Sequence, residues 1–371
     1  MHRNTWMEID LDGIEMNIRR IKAICGKRLI CVVKADGYGC GDLMVANTAL
    51  SAGADMLAVS SADEAFILRN KGYEGKLLIL GHTDAEDIEA LAGADTAVPA
   101  YSMNWVRRII QEHCEGLPVH IKVDTGMNRI GFRSVEEVRE AIRLLKEAGC
   151  HVEGIFTHFA CADSDPEMTR HQFEQFEAFV KGADYPFEWI HCDNSEATIW
   201  FRDDISNACR LGVAMYGVSD AIKDLLHPVA LYSRIFLIKE IEAGETVGYG
   251  ASYTAETKER IGTMPIGYAD GFVRRNQGRL VYVSGQYAEI VGRVCMDQTM
   301  VRVPAETKEG ARVELFGPHI PIETMADELG TIPYEILCLV SDRVTRVYFK
   351  NGKAFHEING RILESEFLKT A

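Results

Sequence analysis

The chain has 371 residues, which at roughly 150 residues per domain means one large domain or two ordinary ones with a sizeable core. Hydrophobic residues at 47% and charged residues at 26% are the composition of a globular protein and exclude a disordered or fibrous chain. With 40 Lys+Arg against 55 Asp+Glu the net charge is −15, and no basic stripe offsets it, so a phosphate backbone would be repelled and no nucleic-acid partner is expected. The ten cysteines are scattered, with no C-x-x-C pair, which reads as reduced thiols in a cytoplasmic protein and gives no metal site. No apolar stretch approaches the roughly 18 residues of a membrane span, and the opening MHRNTWMEID lacks the apolar region of a signal peptide. A membrane domain upstream of Met1 is left open.

From about residue 28 to 213, short runs rich in Val, Ile and Leu alternate with amphipathic segments of helical period, the pattern of βα units with a parallel sheet. The runs predict eight strands, at 29–35, 56–60, 77–81, 97–100, 119–124, 152–158, 187–193 and 208–212. Between them, 134–147 carries Val135, Val138, Ile142 and Leu145 on one stripe, and 168–180 carries Phe173, Phe176 and Phe179 on another. Eight such units predict a (β/α)8 TIM-type barrel more than an open doubly wound sheet. After Pro228 the texture changes: 231–239, 260–265, 280–284, 288–294, 300–303 and 343–349 are β-rich, with turn residues between and almost no helix. The expected division is a barrel over 1–228, whose first eight or so residues are free to join the second domain, and a mostly β domain over 229–371.

Lys34 closes the run Cys31-Val32-Val33-Lys34-Ala35 and precedes Asp36-Gly37-Tyr38-Gly39-Cys40-Gly41. That places a lysine at the carboxyl end of the first barrel strand, where barrel chemistry sits. A lysine shielded from water there can lose its proton and form a Schiff base, the standard attachment of pyridoxal phosphate, and the glycines let backbone N–H groups approach a phosphate. The bland alternative is a solvated rim lysine beside an ordinary turn. Four further strand ends argue against it: Asp124-Thr125-Gly126-Met127-Asn128-Arg129, Thr157-His158-Phe159, Asp193-Asn194-Ser195 and Arg210-Leu211-Gly212-Val213. A lone His158 reads as a core histidine and a lone Arg210 as a surface pair. Four polar clusters on one rim are harder to explain by packing, because structural roles would scatter them over both faces. In the β domain, Gly248-Tyr249-Gly250-Ala251-Ser252-Tyr253, the segment Pro265 to Gly271 and the segment Gly292 to Gln298 are turn-like and polar, and each alone is weak.

In this order the motifs resemble the alanine racemase family over nearly the whole chain. The resemblance is carried by Val33-Lys34-Ala35 with Tyr38-Gly39, Val123-Asp124-Thr125-Gly126-Met127 with Arg129, Tyr249-Gly250-Ala251, Gly267-Tyr268-Ala269-Asp270-Gly271 and Cys295-Met296-Asp297-Gln298. It implies a pyridoxal 5'-phosphate barrel followed by a β domain, in a head-to-tail homodimer whose active sites each borrow residues from the partner's β domain. Lys34 would attach the cofactor and move the substrate's α-proton on one face, and Tyr249, arriving from the partner subunit, would act on the other. Racemisation demands two bases, since one base returning its own proton to the same face regenerates the starting enantiomer. Arg210 would meet the pyridine nitrogen, which an always-charged guanidinium cannot protonate. Tyr38, Ser195, Gly212 and Val213 would hold the phosphate, with Asn194 beside them. Arg129 would contact the cofactor's phenolic oxygen and the substrate, with Lys122 nearby, a lysine often carbamylated in the family. His158 would link Arg210 to Tyr249, and Tyr268, Met296 and Asp297 would approach the substrate carboxylate.

The resemblance has departures. In Val340-Ser341-Asp342-Arg343-Val344 the family usually has tyrosine where this chain has Asp342, and a short polar group there should enlarge the pocket and accept from a hydroxyl. This implies a racemase of L- and D-serine that also accepts alanine, like the cytoplasmic racemase domains of membrane-bound serine racemases in vancomycin-resistance operons, supplying D-amino acid for peptidoglycan precursors. The alternative is a housekeeping alanine racemase. Cys40 replaces a common histidine, with no consequence drawn. Three rivals stand further off: a non-catalytic cofactor carrier, which would be a barrel alone; a decarboxylase, which would prefer glutamate to Arg210; and an aldolase using Lys34 directly on a sugar phosphate.

Overall fold

The computed structural model describes residues 3–360. They fall into two compact units, one formed by Ile14–Gly37 and Gly41–Leu226, the other by the segment up to Gly13, Tyr38–Cys40 and the chain from His227 onward. Strand β1 (Thr5–Asp10) belongs to the latter unit. The former is a closed barrel of eight strands: β2 (Arg28–Val32), β3 (Met56–Val59), β4 (Leu77–Ile79), β5 (Thr96–Ala100), β6 (Pro118–Lys122), β7 (His151–Phe156), β8 (Trp189–His191) and β9 (Ala208–Leu211). All neighbours are parallel, and β2 closes on β9 through pairs such as Leu29 with Cys209.

Strands covered on both faces are mostly apolar, and every residue of β3, β4, β5 and β6 is buried, the polar Thr96, His120 and Lys122 included. The covering helices are cut from the sequence by their caps. Ser134 accepts from Glu137 N at the start of Val135–Glu147, which buries Val138, Ala141, Ile142 and Leu145. Asp165 accepts from Met168 N ahead of Pro166–Ala183, which buries Phe176 and Phe179 and stops at left-handed Asp184. The barrel expectation holds, with one systematic difference: several predicted strands run past the observed carboxyl ends. Val33–Ala35, Thr157–His158 and Cys192–Asp193 leave the sheet there and form the rim on which the polar groups stand.

The other unit is built on a seven-stranded sheet with β1 inside it, antiparallel to Val229–Arg234 and parallel to Thr345–Lys350. Trp6, Ala230, Tyr232 and Val347 form one apolar cluster on it. A three-stranded sheet of Leu237–Ile241, Glu259–Met264 and Thr299–Arg302 and a two-stranded ribbon complete the β structure. Three details correct the sequence reading. The run 231–239 is two strands, because at Ile235 and Phe236 the backbone N–H groups turn to Ala311 O and Thr263 O and the chain changes sheets. The strand expected at 288–294 lies at Gln286–Glu289. The expectation of almost no helix fails at Ile322–Leu329 and Pro333–Leu339, which bury Ile322, Met325, Ala326, Leu329, Ile336 and Leu337. Among the described residues no helix is long and apolar enough to cross a membrane.

Candidate active site

Lys34 is half-buried and follows β2 by two residues, at the head of a turn with unusual backbone. Ala35, Asp36 and Gly37 have φ of 53, 53 and 59, a left-handed turn of which only one residue is glycine. Each left-handed non-glycine residue costs about 1–2 kcal/mol, so the surroundings must over-determine the turn. They do: Gly37 N donates to Val33 O at 2.9 Å, Ala35 N to Glu64 Oε1 at 2.8 Å, Asp42 N to Asp36 Oδ1 at 2.9 Å, and Tyr216 Oη to Gly37 O at 2.6 Å.

The strand ends beside this turn bring together Lys122, Arg129, His158 and Arg210. Arg210 is buried on β9 and makes a fan of bonds: Nη1 donates to His191 Nδ1 (2.7 Å) and His191 O (3.0 Å), and Nη2 to Thr157 O (2.7 Å) and Cys192 O (2.8 Å), with a longer contact to His158 Nδ1 (3.3 Å). All of these contacts engage Nη1 and Nη2, and Nε–H is the guanidinium's remaining donor. Burial lowers the Arg210 pKa to about 10, which still keeps it protonated at neutral pH. Burial, and after it the charges of Arg210, Arg129, Lys122 and Lys34, hold His158 well below the ordinary histidine range, so it is neutral. Lys122, buried at the end of β6 with Nζ donating to Val123 O at 2.6 Å, is brought down to about 7, first by burial and then by Arg210, against the opposing pull of Asp124. A site with so many cations and donors fits an anionic ligand.

The neighbouring rim supplies a cradle. Asn194 caps the short helix Ser195–Trp200, accepting from Ala197 N at 3.1 Å. Ser195 Oγ accepts from Gly212 N (2.9 Å) and Ala214 N (3.5 Å), which leaves its own proton to donate, and Val213 begins the following single turn, Val213–Tyr216. A lysine on a strained turn, a charged donor for a ring nitrogen, cations for a phenolic oxygen and hydroxyl and amide donors for a phosphate are the donor set that pyridoxal 5'-phosphate needs.

In the other unit, Gly248, Tyr249, Cys295, Met296, Asp297, Gln298 and Met300 line an open groove of about 570 Å³. Tyr249 is 70% exposed, Met296 53% and Tyr268 42%, a concentration of large apolar groups in water. The segment Gly267 to Gly271 ties these loops together: Tyr268 N donates to Cys295 O and Ala269 N to Met296 O, both at 3.0 Å. Buried Asp270 accepts from Gly267 N at 2.9 Å and pairs with Arg3. Asp297 Oδ1 accepts from Arg343 Nη2 at 2.6 Å, so its carboxylate is engaged by protein, and exposed Asp342 is the residue before that arginine. Tyr38 lies in this unit with its ring 6.5 Å from that of Tyr334, and Gly39 O accepts from Arg346 Nε at 3.0 Å.

Sequence reasoning missed His191, which backs Arg210, and quoted Asp270 only within a motif, without its role in bracing the tyrosine loop. The signal for the first was a polar side chain ending an otherwise apolar strand.

Comparison with known proteins gives the family. Residues 9–220 match the model of the alanine racemase N-terminal domain and residues 229–348 that of the C-terminal domain. The chain is 41% identical over 369 residues to an alanine racemase of Geobacillus kaustophilus, covering 95% of this chain and 96% of that protein. The crystal structure of alanine racemase from Bacillus anthracis with bound L-Ala-P superposes with a TM-score of 0.93 at 36% identity, covering 98% and 99% of the two chains. A histidine racemase from Leuconostoc mesenteroides superposes with a TM-score of 0.87 at 26% identity, covering 94% and 99%. This chain belongs to the alanine racemase family, isomerases that act on amino acids with pyridoxal 5'-phosphate as cofactor.

Proposed function

We propose that the chain is an alanine racemase working by two proton-transferring groups, Lys34 and Tyr249. The observation that carries this is the rim constellation: Lys34 on its strained turn, facing a set of cations and donors centred on Arg210 and His158. Bound pyridoxal 5'-phosphate supplies an electron-withdrawing ring that acidifies the substrate's α-carbon. Lys34 would hold the cofactor and move the substrate's α-proton on one face. Arg210, fixed through Nη1 and Nη2, would donate to the ring nitrogen from its remaining Nε–H without giving up its proton. Ser195, Gly212 and Val213 would hold the phosphate, with Asn194 fixing the helix start, and Arg129 would take the phenolic oxygen with Lys122 behind it. The exposed groove around Tyr249 supports a head-to-tail homodimer in which a second copy of the chain covers it, bringing Tyr249 to the opposite face of the substrate. His158 Nδ1 meets an Arg210 donor, so its proton sits on Nε2, from where it can donate to the Tyr249 oxygen. Tyr268, Met296 and Asp297 bound the substrate carboxylate.

One observation favours a second reading. Asp342 is short, polar and exposed at the position where the family usually has tyrosine, which leaves room for the side chain of serine. The names of the relatives favour alanine, and serine is the finer proposal. Racemisation of L-alanine and L-serine, followed side by side by chiral chromatography with added cofactor, tests both. Turnover of alanine, with Tyr249→Phe reduced at least about a hundredfold in kcat, is expected for the two-group mechanism. Undiminished Tyr249→Phe activity would refute it. A serine-to-alanine ratio of kcat/KM that falls about tenfold or more in Asp342→Tyr supports the serine reading, since one pocket contact is worth about 1–3 kcal/mol. An unchanged ratio ends it.

A further inference from the structure

The interior of a (β/α)8 barrel is ordinarily filled by layers of branched apolar side chains, yet this one buries His120, His191 and Glu153 in line with Arg210. Arg210 Nη1 lies 2.7 Å from His191 Nδ1, His191 Nε2 lies 2.9 Å from His120 Nδ1, and His120 Nε2 lies 3.1 Å from Glu153 Oε1. The ends fix every direction. A guanidinium only donates, so His191 Nδ1 is bare and its proton is on Nε2. That proton goes to His120 Nδ1, and His120 then donates from Nε2 to a carboxylate that only accepts. Burial and then the charge of Arg210 hold His191 well below the ordinary range, and burial outweighs Glu153 in lowering His120, so both imidazoles are neutral. Glu153 stays ionised: burial pushes its carboxyl up, but the hydrogen bond donated by His120 and the charge of Lys76 bring it down. Lys76, 43% exposed at its side chain and just ahead of β4, meets Glu153 Oε2 at 3.2 Å, so the line runs from the solvent at the amino end of the barrel to the rim.

The backbone is shaped around this line. Pairing of β6 with β7 shifts register between Val119 and His120, from Val119 with Val152 to His120 with Gly154, so Glu153 is an extra residue that escapes the in-out alternation. A Cβ at Gly154 would collide with the His120 ring. Phe156 stacks on His191 with ring centroids 4.9 Å apart. The other strong acceptors of Arg210 are main-chain carbonyls, so the carboxylate this line reaches is Glu153.

We propose that Glu153 is a positioning residue for Arg210: through His120 and His191 it locks the hydrogen-bond direction of the whole line, so that the guanidinium presents one fixed donor to the cofactor. The proposal rests on the assignment of Arg210 to the ring nitrogen. In holoenzyme labelled with nitrogen-15 histidine, NMR is expected to show His191 and His120 protonated on Nε2 alone; a proton on Nδ1 of either overturns the proposal without any variant. Glu153→Gln keeps an acceptor and removes the charge, and Glu153→Leu removes both. The leucine variant should lose about tenfold or more in kcat with KM changed by less than about twofold, and should shift the visible band of the bound cofactor, with the glutamine variant between. Unchanged kcat and band in both, with only a lower Tm, overturns it. Arg210→Lys, run alongside, separates the two assignments. If it too leaves kcat and band unchanged, the Arg210 assignment falls and takes this proposal with it; if it alone alters them, only the role of Glu153 falls.

Discussion

Lys122 shows what burial does to a single side chain. Brought down to about 7 by burial and Arg210, its amine is about half uncharged at neutral pH, and an uncharged amine can add carbon dioxide to form a carbamate. That change would turn a repelling cation into an anion between Arg210 and Arg129. Protein equilibrated with carbon-13 bicarbonate at pH 8 should therefore show a carbamate signal that is absent from Lys122→Ala and that fades as pH falls below about 7. An identical spectrum for wild type and variant would show that the lysine stays unmodified. At this scale the sequence reading rested on residue types that have few other reasons to sit at strand ends, which is why Lys34, His158 and Arg210 could be singled out. His120 and Glu153 could not, because their approach depends on a one-residue register shift between two strands that no local pattern announces.

The left-handed turn after Lys34 belongs to the next scale, because no single residue in it makes its geometry. Asp36 contributes twice: its carboxylate accepts from Asp42 N and its carbonyl from Gly41 N at 2.8 Å. Asp36→Ala loses the side-chain bond and keeps the left-handed strain, so a loss of about 1–2 kcal/mol is expected. Asp36→Gly loses the same bond but relieves the strain, and should recover most of that loss in chemical denaturation. If the two variants are equally destabilised, the turn is not strained at this position. Helices and strands were legible where burial imposes one period: β3 and β4 are unbroken apolar runs, and Val135–Glu147 shows its stripe between a Ser134 cap and its end. The turn itself was read only as glycine-rich, since Ala35 and Asp36 carry no sign of positive φ. The helix Pro333–Leu339 was missed because its roughly two turns bury only Ile336 and Leu337, too few for a periodic signal.

Across the whole molecule, the barrel's polar interior predicts how the protein answers acid. His158 and His191 are held well below the ordinary histidine pKa and His120 is lowered, each chiefly by burial. Unfolding returns all three to about 6.5, so below that pH the unfolded chain binds protons the folded one refuses. A depressed histidine thus gives stability that is present above about pH 6.5 and lost as pH falls. With two to three such groups the loss approaches about 3–4 kcal/mol per pH unit. The lowered carboxylates do not share this window: Glu153, brought down by His120 and Lys76, and Asp203, lowered by Lys27 and Ser206, each against the effect of burial, remain ionised well below it, whereas burial raises Asp193. A chain of two units need not unfold in one step, so the cleaner observable is the proton count. Urea unfolding at pH 5.5 in weak buffer should take up about two to three protons per chain from these histidines, and His191→Phe about one fewer. An uptake near zero at pH 5.5 would mean that the buried imidazoles are already charged in the folded state. The directional line from Arg210 to Glu153 could not then exist, because a protonated His191 has no bare nitrogen with which to accept from a guanidinium.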